Sequence, residues 1–560
     1  MCPINSQKAE PLHWCKNCGV PLLKKRCENC GYDGHKICSD LKPMFKEECE
    51  FLERETGKKL LCKGWQDGLW MRYKTIWFNG RRLFRLSANG KPKIIKEYPF
   101  NDDSDHLDCR PTQETLYRAN KSTLDGIEHE SISFIQQIVK EYPKRKPVVS
   151  FSGGKDSVVA SYLVRKALDT NEVSHIFSDT TMEYPDTYEY IKRFSEGNGG
   201  IPFYQRSSMN DFLEMCELIG PPSRINAWCC TVFKASPIAN MVNSINDKGG
   251  VISFEGIRKR ESYRRRYREK TYMNKKIVHQ LSAYPILDWK EIEVWLFILA
   301  KSLDFNSAYK RGFPRVGCMY CPNNISYNEY LLKTIYPTEI QRWEGFLLNY
   351  AKKIGKEDPT DYVSSGAWKM RVGKSEGRSF AYVRKSPCLR NLNAMHFILD
   401  KEIGKNLEDF IERFKPFGRI ETFSDHHGEG FIVKNSDTDE GVFILKRVKD
   451  IEVLKRESKI DPDWELGEEF ICVDILATKN IHYLLQSIER QMRKFQVCTL
   501  CGACTGICPA NAISISPHFK IHSDKCTNCG RCVSSKYIPF GCITLNSVRQ
   551  GKDFRNVDRN

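Results

Sequence analysis

The segment Ser150-Phe-Ser-Gly-Gly-Lys-Asp-Ser157 constrains the fold more than any other stretch of the chain. It follows the strand-like run 146–149 and precedes residues 158–168, whose apolar side chains recur at helical spacing. Adjacent glycines let backbone N–H groups approach an anion, the start of the helix adds positive potential, and Lys155 adds a full charge. The pattern therefore predicts a phosphate-binding loop, against the alternative of a simple glycine-rich turn.

Strand-like and helix-like segments continue to alternate after this loop. Further strands are predicted at 174–179, 203–205 and 251–254, each followed by a loop and a helical segment. This alternation predicts an α/β fold with a doubly wound, mostly parallel sheet, whose ligands bind at the carboxyl ends of the strands.

Four ordered motifs resemble known enzymes. The string Ser152-Gly-Gly-Lys-Asp-Ser157 resembles the pyrophosphate-binding loop of the PP-loop ATP pyrophosphatase superfamily. The segments 179–187, 256–262 and 285–295 are similar to conserved segments of the phosphoadenosine phosphosulfate (PAPS) reductase family. This resemblance implies an adenine nucleotide alpha hydrolase-like domain. It implies nucleotide contacts from Ser150, Ser152, Gly153, Gly154, Lys155, Asp156, Ser157, Asp179 and Arg258, with Lys155, Asp156 and Arg258 as the candidate catalytic residues.

Four cysteines lie within the same region, at Cys229, Cys230, Cys318 and Cys321. An adjacent pair combined with a distant Cys-x-x-Cys resembles the [4Fe-4S] ligand set of assimilatory adenylylsulfate reductases, and four thiolates are the usual coordination of such a cluster. Zinc on the same sulfurs, or two packed cysteine pairs, are the alternatives. The nucleophilic cysteine segment Glu-Cys-Gly-Leu-His of the reductases is absent from this sequence, whereas the phosphate loop is complete.

The chain begins with two Cys-x-x-Cys-Gly turns, which contain Cys15, Cys18, Cys27 and Cys30. Four thiolates saturate a tetrahedral ion and leave no open coordination position, which indicates a structural site. We expect a zinc ribbon here, with rubredoxin-like iron as the alternative.

The C-terminal region contains the cysteine spacing of bacterial two-cluster ferredoxins. One run ends in Cys508-Pro, and a second run places its last cysteine, Cys542, after nine intervening residues. In such ferredoxins the fourth cysteine of each run serves the other cluster. The resemblance therefore implies one [4Fe-4S] cluster on Cys498, Cys501, Cys504 and Cys542, and another on Cys508, Cys526, Cys529 and Cys532.

These motifs divide the chain into six regions. We expect a zinc ribbon at 1–38, a small β-rich domain at 39–110, a linker and helix at 111–140, the PP-loop domain at 141–400, a small α+β domain at 401–490 and a ferredoxin domain at 491–560. The Asn79-Gly80 dipeptide predicts a hairpin turn within the β-rich domain. Its aromatic and basic residues fit either a nucleic-acid surface or a small core. A further helix is predicted at 394–403.

The composition limits the cellular setting. The chain carries 87 basic and 70 acidic residues, a formal charge of +17, which favours anionic partners. A dense basic run at 258–270 fits either a polyanion backbone or a solvated surface. The apolar runs are too short to span a membrane. Twenty-four cysteines without a signal peptide favour metal ligation in the cytoplasm over disulfide bonds.

Together these features predict an iron–sulfur PP-loop enzyme with three [4Fe-4S] clusters, zinc, and Mg²⁺ bound with ATP. In the first hypothesis it activates an acceptor by forming AMP and pyrophosphate and couples this step to redox sulfur transfer. A nucleic acid is the candidate acceptor, a cysteine desulfurase the candidate sulfur donor, and the electrons come from an external donor. The alternatives are a ferredoxin-linked reductase of a sulfonucleotide, adenylylsulfate or phosphoadenylylsulfate, and a non-catalytic nucleic-acid-binding redox sensor.

Overall fold

The structure is a computed structural model of the chain. It describes residues 10–60, 64–87, 90–99, 111–197, 201–207, 211–245, 249–262, 265–274, 276–370, 383–388, 391, 393–399, 401, 403, 407–425, 428–448, 469–534, 538 and 541–548. Of the sequence features discussed above, residues 263 and 264 of the basic run 258–270 lie outside the described residues.

The N-terminal ribbon is a small antiparallel sheet that shares an apolar core with the five-stranded sheet and the helices that follow it. Its strands are β1 (His13–Cys15), β2 (Val20–Leu22) and β3 (His35–Lys36), in the order β2-β1-β3. The buried Asn120 side chain joins this ribbon to the following helices, because it accepts a hydrogen bond from Leu23 N at 2.8 Å and donates one to Pro21 O at 3.0 Å.

A five-stranded antiparallel sheet follows the ribbon. Its elements are β4 (Lys42–Pro43), α1 (Lys46–Thr56), β5 (Leu69–Arg72), β6 (Thr75–Phe78), β7 (Arg81–Leu86) and β8 (Ile94–Glu97). The predicted hairpin is confirmed: Asn79 and Gly80 join β6 to β7 with positive φ values of 45° and 76°. Trp65, Trp70 and Trp77 are buried in one core with the ribbon. These tryptophans are therefore core residues and are not available for base stacking.

The central domain contains a six-stranded sheet with the order β11-β10-β9-β12-β14-β13. Two helices precede it, α2 (Gln113–Ala119) and α3 (Lys121–Glu141). Its own elements are β9 (Lys146–Ser150), α4 (Lys155–Leu168), β10 (Ser174–Asp179), α5 (Pro185–Gly197), β11 (Phe203–Ser207), α6 (Phe212–Ile219), α7 (Trp228–Cys230), α8 (Ser236–Ile245), β12 (Val251–Glu255), β13 (Thr271–Met273), β14 (Gln280–Ala283) and α9 (Glu291–Ala300).

The strands of this sheet are parallel except for β13, which pairs antiparallel with β14. The order places β9 between β10 and β12, so the strand order reverses at β9. Ligands of doubly wound sheets bind at such a point, outside the carboxyl ends of the strands. The predicted doubly wound α/β fold is therefore present, and the loop 150–157 lies at its switch point.

Helices α10 (Ser326–Ile335), α11 (Pro337–Lys353) and α12 (Pro359–Ser364) follow, and then a second six-stranded sheet. This sheet is antiparallel, with the order β15-β16-β20-β19-β18-β17. Its elements are β15 (Val383–Pro387), β16 (Ala394–Leu399), α13 (Leu407–Glu412), β17 (Arg419–Asp425), β18 (Gly428–Lys434), β19 (Gly441–Arg447), β20 (Glu469–Ile475) and α14 (Ile481–Val497).

The prediction of a helix at 394–403 is wrong, because Ala394–Leu399 forms strand β16 between β15 and β20. The segment is a short and nearly continuous apolar run. Periodicity alone does not separate such a buried strand from a buried helix. The second sheet consequently crosses the domain boundary predicted at residue 400.

The ferredoxin region contains β21 (Ile513–Ser514), β22 (Lys520–Ile521), α15 (Arg531–Ser534) and α16 (Ile543–Val548). Helix α14 of the second sheet contacts both α15 and α16. None of the helices in the described residues has the length and hydropathy required to cross a membrane.

Candidate functional site

The phosphate loop is closed by its own serine side chains. Gly153 adopts a φ of +70°, which glycine tolerates without strain, and α4 begins two residues later. The Ser157 hydroxyl donates to Gly154 O at 2.7 Å and lies 3.3 Å from both Ser152 N and Ser152 Oγ. Ser150 Oγ lies 2.8 Å from Ser253 Oγ of β12. The backbone is thus held in a turn at the carboxyl end of β9.

The three candidate catalytic residues meet in one buried ion cluster. Lys155 Nζ lies 2.9 Å from Asp156 Oδ2, and Arg258 Nε lies 2.5 Å from Asp156 Oδ1. Lys155 and Arg258 are each only 4% exposed. Glu291 completes the cluster, with its Oε1 at 3.6 Å from Lys155 Nζ.

The cluster favours the charged forms of Lys155, Asp156 and Arg258. Burial alone would raise the pKa of Asp156, but Lys155 and Arg258 reverse the effect and hold this pKa below its ordinary value. Burial would likewise lower the pKa of Lys155, whereas Asp156 and then Glu291 raise it. A phosphate that binds to Lys155 therefore competes with two carboxylates. The Asp156 carboxylate bridges Lys155 and Arg258, one oxygen pairing with each cation.

Two further residues shape the loop, and sequence reasoning did not assign them a role. The Tyr309 hydroxyl accepts a hydrogen bond from Lys155 N at 3.1 Å, although the two residues are 154 positions apart. A Cβ at Gly256 would lie 2.3 Å from Asp156 O, so the backbone after β12 touches the first turn of α4. Gly256 and Glu291 lie within the segments 256–262 and 285–295 cited above, although Glu291 occupies a position that the motif leaves open, whereas Tyr309 lies outside every motif.

Asp179 lies at the end of β10, beside β9. Its carboxylate accepts hydrogen bonds from Thr181 N at 2.8 Å, Tyr188 Oη at 2.9 Å and Gln205 Nε2 at 3.2 Å. These bonds fix the turn between β10 and α5 at the same edge of the sheet as the phosphate loop.

The ribbon cysteines have the spacing of a single-ion site. The four sulfur atoms lie within 4.8 Å of one another, with Cys15–Cys30 at 3.5 Å and Cys18–Cys27 at 3.7 Å. Tetrahedral Zn–S bonds of about 2.3 Å require sulfur–sulfur distances of about 3.8 Å. The four-cysteine metal site predicted from the sequence is therefore present at the N-terminus.

The cysteines of the central domain are arranged differently. Helix α7 carries Cys229 and Cys230 and continues through a π-helical turn, Thr231–Ala235. Cys229 and Cys318 pack in one apolar cluster around Trp228, and Cys318 Sγ lies 3.6 Å from Thr180 Oγ1. Within the described residues only the ribbon set has three or more ligand atoms within 4.8 Å of one another. The spacing at Cys229, Cys230, Cys318 and Cys321 is thus wider than a single ion requires.

Two neighbouring cavities in the ferredoxin region match the two predicted cysteine sets. The first is lined by Cys498, Cys501, Cys504 and Cys542, and the second by Cys508, Cys526, Cys529 and Cys532. Cys532 borders both cavities. We name them the buried ferredoxin site and the surface ferredoxin site, because Cys529 and its neighbours Thr527 and Asn528 are exposed. Each cavity presents the four-thiolate donor set that [4Fe-4S] clusters use.

The ferredoxin region docks on the helix that follows the Cys229–Cys230 pair. The Ser236 hydroxyl of α8 donates to Gly502 O at 2.7 Å, and the Thr505 hydroxyl donates to Asn240 Oδ1 at 2.8 Å. Cys501, Ala503, Ile507 and Ile543 share an apolar core with Trp228, Cys229 and Cys318. The buried ferredoxin site therefore lies against the cysteines of the central domain.

The structure thus combines a phosphate loop at the switch point of a mostly parallel sheet with a region whose two cavities are each lined by four cysteines of one set. The comparisons agree: residues 146–324 match the phosphoadenosine phosphosulfate reductase domain, and residues 497–535 match the 4Fe-4S dicluster domain. The chain therefore contains a PAPS reductase-family domain joined to a 4Fe-4S ferredoxin domain.

Several relatives share the central region. Two uncharacterized proteins of Methanocaldococcus jannaschii are 31% identical over 291 residues and 30% identical over 262 residues, which is 50% and 46% of this chain. The chain spans 58% and 60% of their lengths. The adenosine 5'-phosphosulfate reductase of Anoxybacillus flavithermus is 25% identical over 176 residues, 30% of this chain and 70% of that protein. The phosphate complex of the PAPS reductase from Candida auris shares 15% identity over 36% of this chain and 97% of its own, with a TM-score of 0.27.

Proposed function

We propose that this protein activates an acceptor oxygen with ATP and couples the activation to redox sulfur transfer. One observation carries the redox part: Cys501 of the buried ferredoxin site shares one apolar core with Cys229 and Cys318 of the nucleotide domain. The complete phosphate loop, with its buried lysine and arginine, supports the nucleotide part. We assign zinc to the ribbon and [4Fe-4S] clusters to the three remaining cysteine sets. When bound, these clusters supply one-electron transfer.

The loop residues would act mainly by electrostatics. The backbone amides of 152–157 and Lys155 would bind the β- and γ-phosphates, and the Mg²⁺ bound with ATP would supply further positive charge. As the acceptor oxygen bonds to the α-phosphorus, the bond between the α-phosphorus and the bridging oxygen breaks and pyrophosphate leaves. The negative charge that develops on pyrophosphate is stabilised by donors already fixed in place. Arg258 would face the α-phosphate, because Asp156 holds it beside Lys155.

Sulfur then replaces the activated oxygen, and AMP leaves. The terminal sulfur of a persulfide donor is more oxidised than sulfide by two electrons. Releasing that sulfur as sulfide therefore requires two electrons and two protons. Two successive one-electron transfers through the fused ferredoxin region would supply these electrons. The charge of +17 and the basic run 258–270 favour a nucleic acid as the acceptor. A cysteine desulfurase would supply the persulfide, and a low-potential electron carrier would reduce the ferredoxin region.

A second candidate is the reduction of adenylylsulfate or phosphoadenylylsulfate to sulfite and the corresponding nucleotide. The 25% identity to an adenosine 5'-phosphosulfate reductase favours it. Direct delivery of two electrons through the ferredoxin region would replace the thiol chemistry of the missing cysteine segment.

Turnover by anaerobically purified, cluster-replete protein distinguishes the two candidates. One reaction contains ATP, Mg²⁺ and reduced ferredoxin, with and without tRNA or DNA, and is assayed for pyrophosphate and AMP. The other contains a sulfonucleotide and is assayed for sulfite. We expect pyrophosphate release that a nucleic acid stimulates and that Lys155→Ala abolishes, while Lys140→Ala, away from the phosphate loop on α3, leaves it unchanged. Sulfite formation without ATP cleavage would establish the second candidate instead.

A further inference from the structure

The second antiparallel sheet has no role in the chemistry above, yet two cationic side chains from its helices line the buried ferredoxin site. Arg413 follows helix α13, and Lys494 lies in helix α14. Both border the cavity formed by Cys498, Cys501, Cys504 and Cys542. They are 4% and 5% exposed, so water screens neither charge effectively.

Each cation is held close to the cluster ligands. Arg413 stacks on Phe519, with its guanidinium carbon 3.6 Å from the ring centroid, and its Nε is buried without an oxygen or nitrogen acceptor in the described residues. Lys494 Nζ donates a hydrogen bond to the backbone oxygen of Cys532, a cysteine of the surface set that also borders the buried cavity, so the charge of Lys494 acts on both sites. The Asp409 carboxylate opposes Arg413, because its Oδ1 accepts a hydrogen bond from Arg413 Nη2 at 3.0 Å, and it is 22% exposed.

The surface ferredoxin site differs in these respects. Among the described residues that line its cavity, the only one with a charged side chain besides the cysteines is Arg531, which is exposed to solvent. Cys529 is exposed as well. Besides the bond from Lys494 to Cys532, the surface site contacts the second sheet through a neutral hydrogen bond from Asn528 Nδ2 to Ser436 Oγ at 2.7 Å.

These differences have a definite electrostatic consequence. A reduced cluster carries one more negative charge than an oxidised one, so burial alone lowers its reduction potential relative to an exposed cluster. If burial acted alone, electrons would remain on the surface site. A buried cation beside the cluster has the opposite effect, because it stabilises the added charge in a region of low dielectric.

We propose that Arg413 raises the reduction potential of the buried ferredoxin site above that of the surface site, so that electrons pass inward towards Cys229. In each step one electron leaves the reduced surface cluster and reduces the oxidised buried cluster. A low-potential one-electron carrier protein then reduces the surface cluster again. The second sheet thereby acts as a positioning element that sets the direction of electron flow. This inference rests on the cluster assignments of the proposed function.

A redox titration of the full-length, cluster-replete protein tests the inference. Potentials are measured by EPR-monitored titration with dithionite and mediators, without nucleotide, so a protein that shows ordered potentials but no turnover would contradict the proposed function alone. Cys529→Ser perturbs the surface cluster and identifies its signal. We expect the buried site to have the higher potential in the wild-type protein.

The variants change the charge in opposite directions. In Arg413→Gln we expect the ratio of reduced to oxidised buried cluster, measured at its wild-type midpoint, to fall at least tenfold, a shift of about 59 mV for one electron. We expect the reduction potential of the buried site to stay close to the wild-type value in Arg413→Lys and to rise in Asp409→Asn. The potential of the surface site should change less in every variant. The proposal is overturned if the buried site has the lower wild-type potential, or if both sites shift equally. If Arg413→Gln loses iron, Asp409→Asn decides: a rise supports the proposal and an unchanged potential refutes it.

Discussion

Replacing Gly256 by alanine probes the contact between β12 and the phosphate loop. The new Cβ would lie 2.3 Å from Asp156 O, 2.4 Å from Asp156 C and 2.6 Å from Ser157 N. All three atoms belong to the backbone, so no side-chain rotation relieves the contact. Since Cβ contacts under 3.0 Å are essentially never seen, the first turn of α4 must move by at least about 0.7 Å.

The displacement is large compared with the tolerance of a hydrogen bond. An amide that lies about 2.9 Å from a phosphate oxygen would move to about 3.6 Å, which is no longer a hydrogen bond. Each charge-assisted bond contributes about 1.5–3 kcal/mol, so the loss of one weakens binding by about 10- to 140-fold. Overpacking also destabilises the domain by about 1–3 kcal/mol.

Calorimetric titration of the nucleotide-free protein measures this loss. We expect Gly256→Ala to bind a nonhydrolysable ATP analogue, or adenylylsulfate, at least tenfold more weakly than the wild-type protein does. Gly126→Ala is the matched control, because no atom lies within 4 Å of its Cβ and alanine favours the helix. Wild-type affinity in Gly256→Ala would refute the reasoning, since the loop would then tolerate a movement that should remove its contacts.

Three further predictions concern stability and metal content. Burial lowers the pKa of His175 to about 4 from an ordinary value of 6.5, so the domain should be fully stable above pH 6.5 and lose up to about 3 kcal/mol as the pH falls to 4. Denaturant titrations should show a shallower pH dependence in His175→Gln; an identical slope would argue against this assignment. Asn120→Ala leaves the buried Leu23 amide without its acceptor, at a cost of about 1–3 kcal/mol, and should accelerate its hydrogen exchange at least tenfold, whereas Asn171→Ala should not. Cys15→Ser should lower the bound zinc, measured by mass spectrometry, without loss of iron; retention of one zinc per chain would contradict a four-cysteine site.

Local sequence patterns were sufficient for the elements with short-range causes. The Asn79-Gly80 turn formed as predicted because both residues adopt positive φ values at low cost. The parallel strands were predicted because each strand that is covered on both faces is a short apolar run between loop signals. The same criterion failed at Ala394–Leu399, because a buried central strand and a buried helix segment are both short apolar runs.

The composition of residues 39–110 did not decide whether their aromatic side chains are buried or exposed. An interleaved set of tryptophans and arginines fits a nucleic-acid surface and a packed core equally well. The structure places Trp65, Trp70 and Trp77 in the core, while Tyr73 is 85% exposed. The distinction depends on which face of each strand meets the ribbon, and that is a property of the packing.

The sequence by itself determined the four-cysteine site of the ribbon and the phosphate loop, because cysteine spacing and a glycine-rich turn act through neighbouring residues on the chain. Only the tertiary structure decided what surrounds them. Tyr309 and Glu291 reach the phosphate loop from more than 130 residues away, and Arg413 reaches the buried ferredoxin site from a different sheet. Such side chains fix the charge and the geometry of a site through space. Their roles leave no local pattern in the sequence, because the fold alone sets the distances between them.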